Sequence, residues 1–137
     1  MKREDLNFYL QHADLAEVQT ISQRIRNMAR VELIQQATPQ TLMLPVSDPV
    51  NRGLFYGGEV LVTSVIVQVN GVNGWAMVMD EGEDLAFDLA VLDGGYAAGI
   101  EREEIEDLVG RARGNYAAEM AQIAADVAAT RVSFDLM

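Results

Sequence analysis

The sequence predicts an α+β fold, an antiparallel sheet of about four strands packed with N-terminal and C-terminal helices. Three observations carry that expectation. Apolar residues recur at helical spacing over 15–29 (Val18, Ile21, Ile25, Met28) and over 101–130 (Ile105, Leu108, Ala112, Tyr116, Met120, Ile123, Val127). A β-branched run from Glu59 to Val69 has the composition of a strand. Two Asn-Gly pairs, Asn70-Gly71 and Asn73-Gly74, then separate it from a second apolar run, Trp75–Met79, as in a hairpin.

Residues 3–12 form the first expected helix, with Leu6, Tyr9, Leu10 and Ala13 near one face. Asp14 is the expected N-cap of the helix over 15–29, with Glu17 as its capping-box partner. Extended segments are expected over 31–36 and 41–46, where Pro39 and Pro45 imply edge positions or strand ends. Residues 47–53 read as a loop. Along 59–69, Val60, Val62 and Ile66 fall on one face and Leu61, Val65, Val67 and Val69 on the other, so both faces should be covered. Leu85, Leu89, Leu92 and Tyr96 predict a helix over 85–98, weakened at Gly94-Gly95 by about 1 kcal/mol each. Gly110 and Gly114 are expected to break or bend the last helix, and Val132–Met137 reads as extended. With 137 residues and no linker, one domain over 1–137 is expected.

Composition removes whole classes of chemistry. There is no cysteine, so disulfides, thiolate metal sites, iron–sulfur ligation and Cys nucleophiles are all excluded. The formal charge of −11, with Lys2 the only lysine, opposes nucleic-acid binding. No apolar run reaches the roughly 18 residues of a membrane span, and the charged start Met1–Asp5 does not resemble a secretion signal. A cytoplasmic protein is expected.

Few residues suggest a site of their own. His12 is the only histidine, and with no cysteine beside it a structural role is expected. The acidic turn Asp80-Glu81-Gly82-Glu83-Asp84 reads as a solvated helix start or as an oxygen-ligand metal site. Arg26 and Arg30, one helical turn apart, read equally as an anion grip or as helix C-terminal charges. Gly57-Gly58 lacks the Gly-Lys-Ser/Thr close of a phosphate loop, and its expected job is a turn with φ > 0 before Glu59.

Three motifs in order carry a resemblance: Phe55-Tyr56-Gly57-Gly58-Glu59-Val60-Leu61-Val62-Thr63, then Gly74-Trp75, then Thr130-Arg131-Val132-Ser133-Phe134. The chain resembles the PhnG family, the small subunit of the carbon–phosphorus lyase core complex. Asp93 stands where that family's helix carries Asp among small residues, and Asp80-Glu81-Gly82 stands where the family has Gly-Arg-Asp.

The resemblance implies an accessory and assembly subunit with no cofactor, metal or catalytic residue of its own. Its partners would be the I, H and J subunits. The complex would join methylphosphonate to the ribose of ATP with loss of adenine, giving ribose 1-methylphosphonate 5-triphosphate, and ATP and phosphonate would be met only through the complex. Phe55, Gly58, Glu59, Thr63, Trp75, Arg131 and Phe134 are then expected at a subunit interface or in structural motifs. Self-association is expected when the partner is missing. The alternatives are a stand-alone small-ligand-binding protein or enzyme with a metal at 80–84, and a structural homodimer.

Overall fold

The computed structural model describes residues 1–50, 53–79 and 82–135. Two N-terminal helices, α1 (Arg3–Leu10) and α2 (Leu15–Met28), precede three strands, β1 (Val31–Ser47), β2 (Leu54–Val69) and β3 (Val72–Met79). Helices α3 (Glu83–Ala97) and α4 (Arg102–Asp135) follow. The strands form one antiparallel sheet in the order β1-β2-β3, so the fold is α+β as expected. The sheet has three strands because 31–36 and 41–46 join into one 17-residue strand. Pro39 is tolerated because β1 is an edge, and Pro45 lies at a register shift between Leu44 and Pro45.

That shift also explains the glycine pair. Leu44 lies opposite Gly58 and Pro45 opposite Tyr56, which leaves Gly57 as the extra residue of a bulge. A Cβ on Gly57 would run into the Val46 side chain. Gly58 takes φ 151, so the positive φ is as expected, but the pair bends a continuous strand instead of turning into one. The hairpin between β2 and β3 is tighter than expected. Asn70 (φ 50) and Gly71 (φ 82) make a two-residue turn, and Asn73-Gly74, expected as a second turn, lies inside β3.

Helix α3 is the centre of the fold. It packs on β2 and β3 through one side and on α2 through another, and Ala86 to Tyr96 is buried except at Phe87. A helix apolar on most of its circumference is a buried helix. The core joins Leu89, Ala90, Val91 and Leu92 to Val65, Val67, Val69, Ala76 and Val78 of the sheet, and to Leu6, Leu10, Val18, Ile21 and Ile25 of α1 and α2. The two α3 glycines, expected as weak points, are close-approach points. A Cβ on Gly94 would stand 2.7 Å from Val69 Cγ2, and one on Gly95 would stand 2.7 Å from Ile25 Cδ1. Gly99 (φ 81) ends the helix, with Ile100 N donating to Gly95 O at 2.8 Å.

The other local expectations divide. Asp14 caps α2 by accepting from Ala16 N at 2.8 Å, but Glu17 turns away from the cap toward Arg111 Nη2 at 3.3 Å. Helix α4 runs through Gly110 and Gly114 and onward to Asp135, so the extended reading of 132–137 is corrected for residues 132–135. Leu136 and Met137 lie outside the described residues. No helix among the described residues is long and apolar enough to cross a membrane.

Candidate functional site

The Gly74-Trp75 motif and the Asp93 motif form one device. Asp93 Oδ2 accepts from the Trp75 backbone N–H at 2.8 Å, and Arg3 clamps both carboxylate oxygens, Nε to Oδ1 at 2.9 Å and Nη2 to Oδ2 at 2.6 Å. Arg3 Nη2 also donates to Asn73 O at 2.6 Å. The pair holds the Arg3 guanidinium above its ordinary pKa, with the hydrogen bond to Asp93 as the main cause. Beside it, a Cβ on Gly74 would overlap the Ala90 carbonyl oxygen and stand 2.6 Å from Gly94 N. Two motifs some twenty residues apart in sequence thus meet where β3 crosses α3.

Helix α1 closes the same edge. Asn7 donates to Met77 O at 3.2 Å and accepts from Met77 N at 3.3 Å, while Gln11 donates to Met77 O at 3.3 Å. A side-chain amide offers one donor and one acceptor, as a peptide group does. With Arg3 on Asn73 O and Asp93 on Trp75 N, the outward backbone groups at positions 73, 75 and 77 meet side chains where a fourth strand would otherwise pair.

The second face of β2 was expected to be covered, and it opens onto a groove instead. Val65, Val67 and Val69 turn to α3, whereas Val62 pairs with Met79 and Val60 with Leu42 on the opposite face. The groove holds about 610 Å³ between these residues, Leu44, Trp75 and Met77 on one side and, on the other, Phe8 of α1 and His12 in the turn after it. Its lining is mostly apolar, with Asn7 and Gln11 among the polar exceptions, and Trp75 is 42% exposed. Phe8, Tyr9 and His12 in turn gather around Tyr116 of α4, with ring centroids 5.1, 5.9 and 4.9 Å from it. His12 therefore sits in an aromatic cluster, with Nδ1 3.8 Å from Glu119 Oε2.

A polar cleft of about 780 Å³ lies between α2 and α3. At its floor the buried Asp88 accepts from Ser22 Oγ at 2.7 Å, and Arg26 Nη2 stands 3.9 Å from the same oxygen. Burial raises the Asp88 pKa, against the lowering effects of Ser22 and Arg26, and Asp84 adds to the rise. Arg26 also lies 5.6 Å over the Phe87 ring, whereas Arg30 pairs with Glu32 at 2.6 Å. The two arginines do not converge, because Ala29 leaves the helix with φ −134 before Arg30 is reached. Asp88 is not among the residues the sequence singles out; its signal is a charged residue inside a largely apolar helical run.

The expected interface residues fall on separate elements. Glu59 is exposed opposite Met43, Gly58 lies opposite Leu44, and Thr63 is buried opposite Pro39. Phe55 is on β2, opposite Val46, and Arg131 and Phe134 are on α4. The side chains of Phe55, Arg131 and Phe134 lie outside the described part of the structure. Of the four whose side chains are described, Trp75 alone lines the groove. In the acidic turn Asp80 and Glu81 lie outside the described residues, while Glu83 and Asp84 open α3 in its first turn. Among the described residues no group of three His, Asp or Glu side chains is placed to hold a metal.

Fold and surface define an α+β protein with apolar faces that its own described residues leave uncovered, along the groove and on α4. The chain belongs to the PhnG family: the family model described as Phosphonate metabolism protein PhnG matches residues 1–137, the whole chain. It is thereby a carbon–phosphorus lyase subunit of phosphonate metabolism. No curated protein matches the sequence.

Proposed function

We propose that the chain acts as an accessory and assembly subunit of carbon–phosphorus lyase, as one domain over 1–137, in the cytoplasm. In this reading it supports the synthesis of ribose 1-methylphosphonate 5-triphosphate from ATP and methylphosphonate. It shapes the active site of the large I subunit, with H and J as further partners, and meets ATP and phosphonate only within the assembly. The observation that carries the reading is the largely apolar groove of Leu42, Leu44, Val60, Trp75, Met77 and Met79, in which the Trp75 backbone is held by the Arg3–Asp93 clamp. A surface of this kind on a family member that works in a complex is a surface for burial against a neighbour. Phe55, Gly58, Glu59 and Thr63 of β2, and Arg131 and Phe134 of α4, are proposed to serve that interface or to hold its shape.

The test is reconstitution. The other subunits are assayed for adenine release from ATP and methylphosphonate with and without this chain, and the chain is assayed alone. Displacing adenine needs charge stabilisation on a polyanion, which a chain of −11 with one lysine and one histidine is poorly equipped to supply. Full activity in the complex without this chain, or turnover by the chain alone, would overturn the proposal.

A further inference from the structure

Beyond Tyr116 the helix α4 leaves the body of the protein, and it carries an ordered apolar stripe as it goes. Tyr116, Met120, Ile123 and Val127 stand four, three and four residues apart. That is the seam spacing of a helix that pairs with another helix. Met120 is 38%, Ile123 48% and Val127 62% exposed, although the same stripe is fully buried at Ile105 and Ala112. The residues beside the seam include Ala117 and Ala124, small enough to let a second helix approach closely. Glu119 and Asp126 each precede a seam residue, at the flank where coiled coils place the charges that select a partner. The first lies near His12, at 3.8 Å, and the second accepts from Gln122 at 3.0 Å.

We infer that residues 116–130 of α4 dock an amphipathic helix of another carbon–phosphorus lyase subunit, one that carries Lys or Arg beside its own apolar seam. The inference rests on the subunit reading above and names the surface and the chemistry of the partner. A second copy of this chain fits less well. An antiparallel copy sets Glu119 against Asp126, and a parallel copy brings two bodies of charge −11 to the same end of the helix pair. A basic partner helix meets both carboxylates with opposite charge and covers the seam.

Co-expression of the chain with the other subunits, followed by affinity purification and mass measurement, tests this. Ile123→Glu is expected to lower recovery of the partners at least tenfold, and Asp126→Lys to lower it severalfold. Ala125→Glu, on the far side of the helix, should behave as the parent. The chain has no native cysteine, so Ile123→Cys offers a single crosslinking handle, expected to trap a partner segment rich in Lys or Arg. Normal recovery with Ile123→Glu would overturn the inference and leave the subunit reading intact. A crosslink between two copies of this chain would also overturn it. Failure of the parent chain to recover any partner would overturn both.

Discussion

Replacing Gly74 by alanine isolates the crossing of β3 over α3. The added Cβ overlaps the Ala90 carbonyl and lies 2.6 and 2.7 Å from N and Cα of Gly94. All three neighbours are backbone atoms of a buried helix, so no side chain can swing aside. Relief requires α3 to retreat from the sheet by about 1 Å, and a gap of that size forfeits a quarter to a half of each contact's dispersion energy. The retreat also pulls Asp93 from the Trp75 N–H. Overpacking typically costs about 1–3 kcal/mol, and a backbone-to-backbone clash belongs at the upper end. The expected loss is therefore about 3 kcal/mol, or roughly 6–12 °C in melting temperature for a chain of this size. Gly110→Ala is the internal control. Nothing lies within 4 Å of its Cβ in the α4 interior. The same substitution there should stabilise by about 0.5–1 kcal/mol. Urea unfolding followed by circular dichroism reads both. A Gly74→Ala variant within 1 kcal/mol of the parent would refute the close-approach argument.

Among the described residues, Arg3→Ala leaves the buried Asp93 carboxylate with the Trp75 N–H alone, and since Arg3 is about half exposed, water softens the loss. A cost of about 1–3 kcal/mol is expected in the same urea assay, and an unchanged midpoint would show the clamp to be ornamental. For Asp88, burial raises the folded pKa above the unfolded value. The folded state then binds more protons in that window, so stability falls as pH rises from about 4 through the raised value and is level above it. Asp88→Asn, which keeps an acceptor for Ser22, should remove that slope and melt higher than the parent at neutral pH, with the gap closing in acid. Parallel pH profiles for the two proteins would contradict this.

The helices and the hairpin were legible because their signals are local. The spacing of Val18, Ile21 and Ile25, the Asp14 cap and the Asn70-Gly71 turn each depend on neighbours in sequence. The missed features depend on distant ones. Two prolines suggested broken segments where β1 is continuous, because an edge strand has one side on which a missing N–H is harmless. Gly94 and Gly95 looked like defects until β3 and α2 were placed against them. The site was legible only as motifs. Gly74-Trp75 and Asp93 read as separate motifs, and their meeting with Arg3 requires contacts spanning up to 90 residues.

Those long spans set an order on how the protein can be made. Helix α1 has eight residues and is too short to persist by itself in water. Its anchors lie 70 residues downstream at Asn73 and Met77, and 90 downstream at Asp93. A growing chain therefore exposes the β3 edge before it has produced the acid that locks α1 across it. Helix α1, synthesised before the sheet, is among the last pieces to find its place. A fusion or deletion that disables Arg3, Asn7 and Gln11 would leave a finished sheet with an open side, free to pair with another chain.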